Sequence, residues 1–190
     1  MDNIIAIAVS EKTIHPHELR IVSEASPAFL PQVTLAQSEG RSALLYSKND
    51  LIPLSSFVRC RDGMDIGVVF ALLTGYIRCL IEARDRILNT SLVSSDPEKG
   101  VFVFGADAEP GARICIKTVW GMDAVPDENE KILRIVSVLA KCDRVMGAGA
   151  SMERMTSIIR SGNPSLKNCL AAAERVHREW NRIESAPANY

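Results

Sequence analysis

Aromatic residues are scarce, at 5% of the 190-residue chain. Base-stacking platforms and carbohydrate-stacking surfaces depend on them and are therefore poorly supplied. Neither sign of charge is in excess, because 22 Lys and Arg stand against 23 Asp and Glu, for a net charge of −1. That balance gives no electrostatic pull toward nucleic acid or an anionic membrane. The five cysteines (Cys60, Cys79, Cys115, Cys142 and Cys169) are odd in number and widely spaced, with no C-x-x-C pair. This fits buried reduced thiols far better than a disulfide framework or a cysteine zinc site.

Long apolar runs are also missing. The longest, around residues 68–81, is interrupted by Thr74, Gly75, Tyr76 and Arg78, whereas a membrane span needs about 20 mainly apolar residues. The apolar stretch Ile4 to Val9 follows Asp2 and is too short for a secretion signal. The expected location is the cytoplasm, with no nucleic acid partner and no direct membrane insertion.

Catalytic signatures are missing as well. No G-x-x-x-x-G-K-[ST] and no G-x-S-x-G occurs. His15-Pro16-His17-Glu18 groups two imidazoles and a carboxylate, but a metal site needs further ligands and fixed geometry. The segment reads as a solvated loop before a strand. Gly147-Ala-Gly-Ala-Ser151 reads as a turn between helices rather than a phosphate cradle. Asp127, Glu128 and Glu130 fall at a helix start, where carboxylates complement the dipole. No metal and no cofactor is expected.

What is present is ordinary core material, 47% apolar and 24% charged residues, enough for one domain. Residues 18–23 alternate apolar and polar side chains and predict a half-buried strand. Residues 30–37 and 42–47, separated by Ser38-Glu39-Gly40-Arg41, predict a hairpin. Leu51, Leu54, Phe57 and Val58 predict at most a short helix. Asp65 opens a long helix with an apolar stripe from Val69 to Leu88, in which Gly75 allows close packing of another backbone. Asp96 to Gly100 is a turn, and Val101 to Phe104 predicts a buried strand. Asp107 to Gly111 is a second turn, and residues 113–118 form the partner strand.

Three helices follow. The first has capping-box spacing at Asp127 and Glu130, a stripe running to Val145 and Met146, and Gly147 as its stop. The second is short and capped by Ser151. The third starts at Asn163 and Pro164 and carries Leu166, Cys169, Leu170, Ala173, Val176, Trp180 and Ile183. The expected fold class is α+β: a three-stranded antiparallel N-terminal sheet, a long central helix, a second β-hairpin and a helical C-terminal half. The expected organisation is an N-terminal segment 1–17, one domain at 18–184 (a small sheet part 18–58, a mainly helical part 65–184), and a tail 185–190. Leu73, Ile77, Leu80, Val136, Leu139 and Leu170 are expected in the core.

Particular residues carry a resemblance. The stretch FLPQVTLAQSEGRSALLYSKNDLIPLSSFV, through Leu30, Pro31, Gly40, Leu44, Tyr46 and Leu54, resembles part of a domain family of unknown function from Gram-positive bacteria. That family often precedes a forkhead-associated domain. The segments ILNTSLVSSDPEKGVFVF and MERMTSIIRSGNPSLKNCLAAAERV are similar to its later parts. The family is similar in element order to the kinase-like cytoplasmic domain of a type VII secretion membrane component. The resemblance implies a reduced protein-kinase-like fold.

In the kinase register, Ala83-Arg84-Asp85 falls on His-Arg-Asp, Thr90 on the metal-binding Asn, and Val103-Phe104-Gly105 on Asp-Phe-Gly. Asp85 and Gly105 are retained, but Ala83, Thr90 and Val103 stand in place of the His, the metal-binding Asn and the metal-binding Asp, and no phosphate-binding lysine is visible, so the Mg²⁺ and phosphate ligands of phosphoryl transfer are missing. The apolar period continues past Asp85 to Leu88, which makes Asp85 a solvated helix residue instead.

The expected function is that of a non-catalytic kinase-like interaction or scaffold module in cytoplasmic signalling or secretion. One alternative is a nucleotide or small-molecule binding domain with residual activity; another is a dimeric secretion chaperone. A protein partner is expected, and a homo-oligomer is an open outcome. Trp180, on the apolar face near the end of the last helix, either closes the core or contacts a partner.

Overall fold

The computed structural model describes residues 3–10, 14–60, 64–104, 114–142 and 145–184. The architecture is α+β, with two small antiparallel sheets and six helices among the described residues. The first sheet contains β1 (Ile4–Val9), β2 (Val33–Ser38) and β3 (Arg41–Ser47) in the order β1-β3-β2. The β2–β3 hairpin forms as expected, closed by Glu39 and Gly40, both at positive φ.

The third strand differs from the expectation. It is residues 4–9, so the small sheet extends N-terminal of residue 18. Residues 18–23 lie instead in helix α1 (Pro16–Glu24). Local chemistry explains the difference. Pro16 sits at the first helical position, where its missing N–H costs nothing. The Glu18 carboxylate accepts the His15 backbone N–H at 3.0 Å, satisfying a donor at the helix start. Six residues of alternation were too few to outweigh these start signals.

The second sheet contains β4 (Leu51–Pro53), β5 (Val101–Phe104) and β6 (Cys115–Thr118) in that order. The expected β5–β6 hairpin is present, with Val103 opposite Ile116. The turn expected at Asp107 to Gly111 lies outside the described residues. β4 is an addition, running directly into helix α2 (Leu54–Cys60). Helix α3 (Ile66–Asp85) packs against β6 and against helix α6 (Leu166–Glu184). Asp65 caps it by accepting the Val68 N–H at 2.9 Å. A Cβ on Gly75 would lie 3.2 Å from the Ile116 side chain, so that glycine lets β6 approach closely. α3 is long and apolar enough to cross a membrane, but most of that surface is buried in the core.

α3 stops three residues earlier than its apolar period. Arg86 caps it, Ile87 turns the chain at φ 59°, and Leu88 is buried from outside the helix. Leu73, Ile77, Leu80, Val136 and Leu139 are buried as expected, whereas Leu170 is only half-buried.

Helix boundaries in the last third shift. Helix α4 (Glu128–Leu139) begins after Asp127, whose side chain accepts the Asn129 N–H at 2.8 Å. It ends before Gly147, and Met146 is exposed. Gly147 instead starts helix α5 (Ala148–Gly162), which places Ser151 inside that helix, buried, rather than at its cap. Asn163 ends α5 at φ 41°. The start of α6 is capped by Ser165, whose hydroxyl accepts the Asn168 N–H at 3.3 Å.

Gly147 sits at φ +78°, and a Cβ there would come within 2.1 Å of the Trp180 ring. The position thus needs both the left-handed backbone and the missing side chain. Gly147→Ala is expected to cost about 2–4 kcal/mol in urea unfolding, through backbone strain and overpacking. In Gly149→Ala the new Cβ meets nothing closer than the Ala140 carbonyl oxygen at 4.0 Å. That variant is expected to be neutral or stabilised by up to about 1 kcal/mol.

Candidate functional site

The polar groups of the interior converge on one irregular segment, residues 89–95. It follows α3, contains a single turn of 3₁₀ helix (Thr90–Leu92), and is enclosed by α3, α4 and the chain leaving β6. Its backbone pairs with residues 119–121: Ser94 N–H donates to Val119 O at 2.9 Å, and Gly121 N–H donates to Leu92 O at 2.7 Å. The remaining groups need side chains, since buried backbone polar groups are costly to leave unpaired. Lys131, fully buried on α4, donates to the carbonyls of Ser91 and Val93. The hydroxyls of Tyr76 and Thr118 donate to Ser94 O at 3.0 and 2.8 Å.

Asp123 completes this cluster. Its carboxylate accepts the backbone N–H and the hydroxyl of Ser95 at 2.9 and 2.6 Å. It lies 3.7 Å from both Lys131 Nζ and Arg134. Burial works to raise the Asp123 carboxyl, but the Ser95 hydrogen bonds and the Lys131 charge outweigh it and hold the group below its ordinary value. Burial pulls Lys131 below its ordinary value, against the attraction of Asp123. At the front of the segment, the buried Glu18 carboxylate accepts the Asn89 N–H at 2.7 Å, tying α1 to it. The cluster's chemistry is internal: each of these groups already holds a partner within the fold.

The residues of the kinase-like register separate on this frame. α3 ends with Asp85 inside it, three residues short of its apolar period. Asp85 is exposed at the helix terminus, and Ala83 is buried. The Thr90 hydroxyl donates to Glu128 at 2.8 Å, and Glu128 also pairs with Arg84. Val103 is buried in β5 between Ile52 and Ile116. Gly105 lies outside the described residues.

His15 and His17 are exposed at the start of α1, their ring centroids 5.1 Å apart, while Glu18 turns inward. Among the described residues no group of three metal-ligating side chains assembles. His177, far from them, stacks on Phe70 at 4.8 Å. Trp180 is half-buried; its ring covers Gly147, and its indole N–H is buried with no acceptor among the described residues. All five cysteines are free thiols; Cys79, Cys142 and Cys169 are buried, and Cys60 and Cys115 are exposed. Burial pushes the Cys79 thiol up to about 12.

A surface that the sequence reading missed stands out on the first sheet. The register places Ile5, Ile7 and Val9 on the inner face with Tyr46, Leu44 and Ser42. The outer face carries Ile4, Ala6 and Ala8 on β1, Ala43, Leu45 and Ser47 on β3, and Thr34, Ala36 and Ser38 on β2. Antiparallel sheets with one solvated face normally make that face polar. Here it carries no charge until Arg41 at the hairpin end, and its apolar residues stand outside the core cluster. The available signal was the uncharged run Ile4 to Val9, which has the length of a strand. Beside the sheet, α1 leaves a groove of about 840 Å³ bordered by Val9, Leu19 and Leu35, with Arg20, Glu24 and Arg41 at its rim. No family model and no curated protein matches the chain.

Two measurements test the interior cluster. Lys131→Met is expected to cost about 3 kcal/mol in denaturant unfolding, because it removes the donor to Ser91 and Val93 and one cation beside Asp123. Asp123 has a lower affinity for protons folded than unfolded, so its contribution to stability is full above its ordinary value of 3.8 and is lost as pH falls through its folded value. The urea midpoint is expected to fall below that pH in the wild type, and by less in Asp123→Asn.

Proposed function

We propose that this chain is a non-catalytic protein-interaction module, a scaffold of reduced kinase-like architecture working in cytoplasmic signalling or secretion. One observation carries the reading: the uncharged, apolar outer face of the first sheet, centred on Ala43 and Leu45. Contiguous apolar surface of this kind marks sites of protein contact more often than it decorates a solvated face. The sequence resemblance to kinase-like domains supports the same reading, because Thr90 and Val103 stand at its two metal positions and supply neither the amide nor the carboxylate oxygen found there in kinases.

A photo-crosslinking side chain at position 45, in the cells that make the protein, tests this. It is expected to capture one protein partner, while the same group at exposed position 153 captures none. Leu45→Lys should abolish binding of the captured partner and leave the urea midpoint within about 0.5 kcal/mol of wild type. Absence of an adduct at position 45 would overturn the proposal. So would autophosphorylation with labelled ATP and Mg²⁺ that is present in wild type and lost in Asp85→Asn.

A further inference from the structure

We infer that β1 is a self-pairing edge, through which two copies of this chain join their first sheets into one six-stranded antiparallel sheet. Among the described residues β1 pairs with β3 alone, along one side. Lys48 N–H donates to Asn3 O at 2.7 Å, and Ser47 N–H donates to Gln32 O at 2.8 Å. Alternation along an antiparallel pair then turns the N–H and C=O groups of Ile5, Ile7 and Val9 toward β3. The backbone groups of Ile4, Ala6 and Ala8 point to the free edge. Native sheets protect such edges with charge, proline, bulges or a covering element. The stretch Ile4–Val9 has no charged residue, no proline and no glycine. The opposite edge, β2, differs: α1 packs beside it, and it ends in the polar residues Gln37 and Ser38.

The strand's own pattern selects a second copy as the occupant. A strand paired antiparallel with itself is related to its partner by a two-fold axis. Placing that axis at Ala6 brings free-edge groups opposite free-edge groups: Ala6 faces Ala6, and Ile4 faces Ala8 of the second copy. The intervening pair is Ile5 with Ile7. Inner-face residues meet inner-face residues, the two small alanines meet at the axis, and each bulky Ile4 falls opposite a small Ala8. No like charges oppose each other, which would destabilise cross-strand pairs. The joined sheets would also merge the two apolar outer faces into one surface.

This inference stands apart from the scaffold reading. Position 45 lies on the central strand β3 directly opposite Ala6, so a self-adduct there, of twice the chain mass, belongs to this inference, and only an adduct with a different protein counts for the scaffold reading. A strand edge is smaller than the ~1,600 Å² of a standard interface, so association should depend on concentration between about 5 μM and about 500 μM.

Sedimentation equilibrium across that range is the test. Wild type is expected to rise from the mass of one chain toward twice that mass. Ala6→Pro removes an N–H that faces the free edge and takes no part in the β1–β3 ladder, as edge strands tolerate. It should stay at the mass of one chain with an unchanged circular dichroism spectrum. Ala8→Lys should do the same, and serves if the proline variant fails to fold. The double variant Ile4→Glu with Ala8→Lys should regain the doubled mass, because each glutamate then opposes a lysine of the other copy. A wild type that stays at the mass of one chain throughout overturns the inference. So does a doubled mass that survives in folded Ala6→Pro or Ala8→Lys, or a double variant that fails to restore it.

Discussion

The ammonium of Lys131, buried against the carbonyls of Ser91 and Val93, is the contact on which the rest of the interior depends. The segment 89–95 has no full set of strand partners, yet its second half, Val93 to Ser95, is buried. Without side-chain donors its carbonyls would be buried and unpaired, at a cost of about 1–3 kcal/mol each. Lys131, Tyr76 and Thr118 supply those donors from α4, α3 and β6 respectively. Asp123 balances the Lys131 charge and binds Ser95, and Glu18 brings α1 to Asn89. Four elements are therefore fixed relative to one irregular segment by polar contacts rather than by regular pairing.

The same arrangement keeps the polar residues of this cluster engaged with one another. Here Asp123, Lys131, Ser95 and Glu18 each meet another part of the chain. The unmatched surface lies elsewhere, on the first sheet, where one face covers the core and the other is apolar and exposed or half-exposed, with no element packed over it among the described residues. The unpaired edge of β1 borders that face, so hydrogen-bonding capacity and apolar area occur side by side.

The elements that were legible in the sequence are those with a local cause. The β2–β3 hairpin is written in Glu39-Gly40 between two short apolar runs, and the start of α3 in Asp65. The stripe Leu73, Ile77, Leu80 and the caps around Asp127 are equally local. Misreadings occurred where two local signals competed. Residues 18–23 alternate like a strand, but Pro16 and Glu18 are start signals for a helix, and the helix forms. Gly147 fits the end of one helix as well as the entry to the next. Trp180, 33 residues later in the chain, settles the matter by occupying the space a Cβ would need. Asp85 closes α3 because Ile87 adopts a left-handed backbone and Leu88 is drawn into the core separately, which periodicity alone could not separate from three more helical residues.

Of the candidate surfaces, the sequence exposed only the ingredients: an uncharged strand-length run at Ile4 to Val9 and an apolar hairpin. By itself the sequence determined the α+β class, the long buried helix and both hairpins, since each follows from residues within a few positions of one another. Only the tertiary structure decided which run became the third strand, which face of the sheet stayed uncovered, and that Lys131 and Asp123 meet inside the molecule. Those outcomes depend on contacts between residues distant in the chain, such as Tyr46 with Trp120, Glu18 with Asn89 and Lys131 with Val93, which also brings Lys131 to the nearby Asp123. They are set by which arrangement leaves the fewest buried polar groups unpaired, a property of the whole fold that no local window contains.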